Sequence, residues 1–256
     1  PPRSTLFPYT TLFRSGLIKE NDRIMIGFSG GKDSLTLLHT LNRMQKKAPF
    51  KFDFKAVTIT YGMGEQIEFL SNHCKEHGIE HEIIDTQIFD LAGEKIRKNS
   101  SFCSFFSRMR RGYLYTTALE QGYNKVALGH HLDDAMESYF MNLFYNGTMR
   151  TMPPIYKASN GLEVIRPLIF CRERQLRAFA DSNEIRVIGD EACPGLRFDV
   201  KMPHARAATK ELLAKLEEQN PKIFVSMKAA FSNIQLPTFF YKDLKDIKLN
   251  IEDENI

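Results

Sequence analysis

The chain contains no tryptophan and only four cysteines, Cys74, Cys103, Cys171 and Cys193, among its 256 residues. Thiols so few and so widely spaced do not make a disulfide framework. With no secretory signal they read as reduced thiols of a cytoplasmic protein. No apolar run reaches the roughly 18 residues that a membrane span needs, so no membrane association is expected. Charge of one sign is scarce too: 35 basic residues against 31 acidic ones give a formal net charge of +4.

Part of that excess comes from the first fifteen residues, PPRSTLFPYTTLFRS, in which Thr-Leu-Phe occurs twice. The stretch resembles the in-frame translation of a short-read sequencing adapter. Residues 1–15 are therefore set aside as a non-native segment. They contain Arg3 and Arg14 and no acid, so without them 35 basic residues become 33 against 31 acidic ones, and +4 becomes +2. Overall charge is then no argument for a nucleic-acid partner, and only local clusters can make one.

What the sequence does have is alternation. Short apolar runs at Arg23–Phe28, Phe54–Thr60, His81–Asp85 and Lys125–Leu128 read as strands. Helical patterns separate them: one carrying Leu35, Leu38 and Leu41, then Glu65–His77, Ser107–Gln121 and Leu132–Tyr145. Strands alternating with helices predict an α/β fold, a parallel sheet of about five strands with helices on both faces. Beyond Gly147 lie a loop at Pro153-Pro154, a turn at Asn160-Gly161, a strand at Val164-Ile165 and a helix over Arg172–Ser182. The expected organisation is an α/β domain over 16–190, a helical extension over 191–241 and a charged, mobile tail over 242–256.

Two segments carry chemistry. In the first, Ser29-Gly30-Gly31-Lys32-Asp33-Ser34 joins a strand to a helix. In a parallel sheet that is the carboxyl edge, where ligands bind. Glycines let backbone N–H groups approach an anion, and the helix adds its free N–H groups and dipole. Ser29 and Ser34 add hydroxyls and Lys32 adds a positive charge. The spacing is not that of a Walker A loop, and Asp33 would repel a phosphate unless a cation lay between them. Asp33 is therefore expected to face the Mg2+ of a bound ATP.

In the second, Gly129-His130-His131-Leu132-Asp133-Asp134 follows the strand Lys125–Leu128 and opens a helix. Two histidines and two carboxylates there offer metal ligation and proton acceptance. Read alone, Asp133 and Asp134 also suit helix capping.

Together the two segments resemble the PP-loop ATP pyrophosphatases, and within them the tRNA 2-thiocytidine synthetases. The likeness runs from about Asp22 to Phe240. It includes Cys103 with Arg108, Arg110 and Arg111, the Asn142-x-Phe144-Tyr145-x-Gly147 segment, Met152-Pro153-Pro154 and Ile165-Arg166-Pro167-Leu168. The resemblance implies a Rossmann-like fold of the adenine nucleotide alpha-hydrolase type and an enzyme that adenylates C2 of a tRNA cytidine. Sulfur then replaces the oxygen, and AMP and pyrophosphate are released. It implies that His130 and Asp134 belong to the adenylation site, catalytic with Asp33, and that Gly129 joins the ATP site; Asp33 and Asp133 are the residues expected to hold magnesium. It implies a sulfur donor such as a cysteine desulfurase, tRNA bound through Arg108, Arg110 and Arg111, and a homodimer as one assembly.

The cysteines depart from that family. Its iron–sulfur ligands begin with Cys-x-x-Cys, but here Phe106 stands three residues after Cys103, and Cys193 has no nearby partner. A phenyl ring cannot ligate iron. Cys103 and Cys193 are left as cluster ligands, as a persulfide pair, or as inert. Two other readings stay open: a ligase resembling tRNA(Ile) lysidine synthetase, which needs no cysteine, and a non-catalytic RNA-binding relative.

Overall fold

A computed structural model describes residues 16–95, 102–183 and 204–235 of the chain. The expected tail, residues 1–15 and the stretch with Cys193 lie outside the described residues. The elements in chain order are β1 (Arg23–Gly27), α1 (Lys32–Gln45), β2 (Asp53–Ile59), α2 (Glu68–Glu76), β3 (His81–Ile84), α3 (Ile88–Lys95) and α4 (Phe102–Glu120). There follow β4 (Lys125–Ala127), α5 (Leu132–Tyr145), β5 (Ile155–Lys157), β6 (Glu163–Ile165), α6 (Glu173–Ser182), α7 (His204–Gln219) and α8 (Ile223–Ala230).

The strands form one sheet in the order β3-β2-β1-β4-β6-β5. All pairings are parallel except β5 with β6, so the sheet has one strand more than expected and an antiparallel edge. The sequence hid β5 because it is three residues long and lies between Pro153-Pro154 and the Asn160-Gly161 turn. Those signals mark a loop, yet they also suit a short edge hairpin. The α3 helix was missed as well, since it is short and contains Gly93, a poor helix former. The α4 helix begins at Phe102, five residues ahead of its expected start, and so takes in Cys103.

Strand residues alternate between two cores. Ile24, Ile26, Phe28, Ala56, Ala127 and Ile165 pack with Leu35, Leu38 and Leu41 of α1 and with Leu70 and Leu176. Met25, Val57, Ile59, Val126 and Val164 pack on the other face with Phe105, Phe106 and Leu114 of α4. Strands covered on both sides are apolar throughout, which is why β1 and β4 read as unbroken runs. A third, smaller core joins Leu132 and Met136 of α5 to Leu213 and Phe224 of the helical extension. Lys125 opens β4 and is buried, but Asp22 and Glu163 each place a carboxylate oxygen 3.0 Å from its ammonium.

The chain leaves β1 toward β2 on one side, while β4 lies on the other side of β1. The carboxyl ends of β1 and β4 thus flank the point where strand order reverses, the place where open α/β sheets leave a crevice.

Candidate active site

A cleft of about 360 Å3 opens at that point. Its walls come from both strand-end segments and from α4: Ser29, Asp33 and Ser34, then Gly129, His130 and Asp134, then Phe106, Arg110 and Arg111. Val57, Ile59, Tyr61, Leu114 and Leu128 add an apolar side.

The first segment closes on itself. Gly30 has φ of 77°, a left-handed conformation that favours glycine. Ser34 Oγ accepts from the Ser29 backbone N–H and from the Ser29 hydroxyl, both at 3.2 Å, and donates to the Gly31 carbonyl at 3.0 Å. Gly31 caps α1 without a side chain, so the opening N–H groups of the helix are left for an anion. Beneath the turn, the Phe28 carbonyl accepts from Thr58 Oγ1 at 2.7 Å. That hydroxyl contacts His81 Nε2 at 2.9 Å, and Ser71 meets the other ring nitrogen at 2.9 Å.

The second segment reaches the first closely. A Cβ built on Gly129 would lie 3.2 Å from the Asp33 carbonyl carbon and 3.2 Å from the Ser34 nitrogen. Any side chain there would press the two turns apart. His131 caps α5: its backbone N–H donates to Asp134 Oδ2 at 3.0 Å and its ring accepts from the Asp134 N–H at 3.4 Å. The His131 ring stands between Asp134 at 3.4 Å and Asp33 at 3.8 Å.

Two polar groups in the cleft stand out electrostatically. Asp33 Oδ1 is buried with no hydrogen-bond partner among the described residues. Burial pushes the Asp33 carboxyl up from its ordinary range, against the pull of Lys32. His130 Nδ1 is likewise buried and unpartnered, and burial, followed by the charge of Arg166, holds its imidazole down to about 4. His130 is therefore uncharged near neutral pH.

Two expected site residues have other partners. Asp133 does not line the cleft. Its carboxylate accepts from Arg172 Nε at 3.1 Å and from the backbone N–H of Glu173 at 2.7 Å, so it caps α6 instead of facing Asp33 across a metal. The reason is geometric: on a helix, successive side chains point about 100° apart, so Asp133 turns toward α6 while Asp134 faces the cleft. Lys32 also stays out of the cleft wall, with Nζ 3.2 Å from Asp33 and 3.1 Å from Glu173. Arg108 is exposed and outside the cleft, whereas Arg110 donates to the Tyr61 hydroxyl at 2.8 Å and lies over its ring.

Sequence reading did not give this holding role to the residues that have it, and took Arg206 only as an extension of the tRNA-facing basic surface. Glu65 Oε2 accepts from the Met63 N–H at 3.1 Å and its other oxygen accepts from the Tyr61 N–H, fixing the turn after β2. Arg172 bridges Asp133 to Glu217, donating at 2.6 Å to the latter. Arg206 of α7 donates to Asp134 at 2.7 Å and Glu137 at 2.8 Å. No local pattern marks the Arg172 and Arg206 pairs, because each joins elements far apart in sequence.

A family model described as a PP-loop domain matches residues 8–201. The chain is 43% identical over 222 residues to the tRNA-cytidine(32) 2-sulfurtransferase of Geobacter metallireducens, covering 86% of this chain and 84% of that protein. The chain belongs to the tRNA-cytidine(32) 2-sulfurtransferase family of PP-loop proteins. Another member, from Pseudomonas syringae pv. syringae, is 39% identical over 223 residues, covering 86% of this chain and 79% of its own. Among solved structures, the U34-tRNA thiolase NcsA from Methanococcus maripaludis with its 4Fe-4S cluster shares the fold. Its TM-score is 0.67 at 24% identity, over 85% of this chain and 73% of that one.

Within this sulfurtransferase family member, the described residues do not assemble a cluster site. Phe106 is buried in the cleft wall, its ring edge-on to Tyr61 at 5.4 Å between centroids. Cys74 and Cys171 are buried in the core on the α1 face, and burial pushes both thiols up to about 12. Cys103 lies at the start of α4, but its side chain is outside the described residues, as is all of Cys193. The chemistry supported here is that of the phosphate turn and the double-aspartate segment.

Proposed function

We propose that the chain adenylates C2 of a tRNA cytidine with ATP and replaces its oxygen with sulfur, releasing AMP and pyrophosphate. The observation that carries this reading is the close approach of Gly129 to Asp33 and Ser34, which makes one cleft of the two segments. Adenine fits the apolar side formed by Val57, Ile59, Tyr61, Phe106 and Leu128. The β and γ phosphates fit the Ser29–Ser34 turn, where Gly30, Gly31 and the helix N–H groups donate. Lys32 acts there through Asp33, whose carboxylate it steadies.

Asp33 offers the unpartnered oxygen that suits a hard cation, with Asp134 beside it, so these two residues would hold magnesium. Bound there, the ion neutralises charge that builds on the phosphates as pyrophosphate leaves. The cytidine O2 attacks the α-phosphorus and the bond to pyrophosphate breaks. Adenylation is needed because an amide-like oxygen leaves poorly and AMP leaves well. A sulfur nucleophile then forms a bond to C2 while the C2–O bond breaks and AMP departs. Uncharged His130 supplies a hydrogen-bonding nitrogen at the cleft floor. Arg110 and Arg111 at the mouth, with exposed Arg108, attract tRNA phosphates.

Support for this reading comes from the family and from the shared cleft. The test is incubation with ATP, magnesium, tRNA and a sulfide source, read by nucleoside mass spectrometry and by phosphate products. AMP, pyrophosphate and 2-thiocytidine are expected together. Pyrophosphate with lysine incorporation would favour the lysidine-type reaction, and no pyrophosphate at all a binding role. Cys103→Ser and Cys193→Ser are expected to keep pyrophosphate release while losing thiolation; unchanged thiolation would remove both cysteines from sulfur delivery.

A further inference from the structure

Away from the cleft, three histidines from two helices converge. His39 lies midway along α1, while His73 and His77 are four residues apart near the end of α2 and so share a face. One ring nitrogen from each lies within 4.8 Å of the others. His39 Nε2 and His73 Nε2 are 2.9 Å apart. Ring centroids are separated by 5.0, 4.7 and 4.5 Å around the triangle.

We propose that His39, His73 and His77 form a binding site for one zinc-like divalent transition metal, clipping α1 to α2. Imidazole nitrogens suit such borderline metals, and three of them with one open position is a common zinc arrangement. Zinc–nitrogen bonds of roughly 2.0–2.1 Å in a tetrahedron place ligand atoms roughly 3.3 Å apart. The observed triangle needs only small side-chain rotations to reach that spacing.

The tautomer of one ligand is already set. His77 Nδ1 lies 2.9 Å from the His73 carbonyl, which can only accept. Nδ1 therefore carries the hydrogen, and the Nε2 lone pair is left for a metal, the arrangement usual around metal-bound histidines. Burial, followed by the neighbouring His73 and His77, holds His39 down to about 4, and burial and His77 lower His73 as well. His39 is therefore uncharged near neutral pH, and burial acts in the same direction on His73. Phe179 of α6 packs against the His39 ring at 6.2 Å between centroids and keeps it turned toward the cluster. His77 is exposed, so the fourth position is open to water.

This site is independent of the adenylation reading, because none of its residues lines the cleft. It ties the helix that starts at the phosphate turn to its neighbour, so its first effect is on stability.

The test uses the full chain with Cys103→Ser and Cys193→Ser, freed of metal by chelation, which leaves only the thiols of Cys74 and Cys171, both buried in the core. Zinc is titrated in competition with a chromophoric chelator, and cobalt is used as a spectroscopic probe. One equivalent of zinc is expected. The cobalt spectrum should show tetrahedral or five-coordinate d–d bands and no thiolate charge-transfer band. Adding His73→Gln and His77→Gln should weaken zinc binding at least roughly 100-fold, since loss of an outer partner alone costs 10–100-fold. Zinc should also raise the melting temperature of the parent and leave the double histidine variant unmoved. Should that variant fail to fold, His77→Gln alone, at an exposed position, serves in its place. Absence of zinc binding in the Cys103→Ser, Cys193→Ser parent, or binding that survives the histidine substitutions, overturns the proposal.

Discussion

The turn after β1 and the turn after β4 meet in one cleft, but they are held in different ways. Ser29–Ser34 is fixed by its own residues: a left-handed glycine, two serines and a helix start. His130–Asp134 has a local capping box between His131 and Asp134 but is also held from outside, with Asp133 bound by Arg172 and Glu173 and Asp134 bound by Arg206. A phosphate cradle made from local bonds survives changes elsewhere in the chain. A catalytic carboxylate made from distant bonds depends on α6 and α7 being in place. The helical extension thus supports the site, even though none of its described residues lines the cleft.

The comparison can be broken first at the point where the two turns serve one reaction. Asp33→Ala should lower tRNA-dependent pyrophosphate release by about 100- to 1,000-fold, the usual loss when a preorganised electrostatic group is removed. Circular dichroism should stay unchanged. A variant within a few-fold of the parent would separate Asp33 from the phosphates.

The next contrast concerns stability. Arg172→Ala strands Asp133 and Glu217, which it joins, and removes a guanidinium lying 3.4 Å from the centre of the Phe224 ring. A loss of about 2 kcal/mol is expected, at the scale of charged hydrogen bonds. Ser34→Ala breaks bonds inside one turn and should cost about 1 kcal/mol. Urea unfolding midpoints compare the two directly. If Ser34→Ala proves the more damaging, the turn after β4 does not depend on distant partners.

The smallest expected effect is on pH. Burial holds His81 and His130 near 4, against an ordinary 6.5. As pH falls from about 6.5 toward 4, the unfolded chain binds protons that the folded chain refuses. Stability contributed by the two neutral rings is therefore full above 6.5 and declines below it. Urea midpoints measured across that window should fall with pH, and His81→Gln should flatten the slope. A flat profile in the parent would mean that neither ring is held neutral.

Sequence and structure diverge along the same line as these two turns. The phosphate turn was legible because its glycines, serines and flanking strand are contiguous. The alternation of strands and helices was legible because both faces of the sheet are covered and the strands are continuously apolar. The partners of Asp133 were not legible, because Arg172 and Glu173 are distant in sequence. The Glu173 partner of Lys32 was hidden for the same reason. Phe106 is a missing cysteine in the sequence and a wall of the cleft in the fold, and nothing local distinguishes the two. β5 escaped because an edge hairpin and a loop share the same proline and glycine signals.

The most direct measurement is a crystal structure of the full chain soaked with magnesium and an ATP analogue that has a methylene bridge between the α and β phosphorus atoms. The account predicts the β and γ phosphates on the Ser29–Ser34 turn, the metal at Asp33, and adenine between Tyr61 and Leu128. A triphosphate bound outside that turn, or a metal held by Asp133 in place of Asp33, would contradict it.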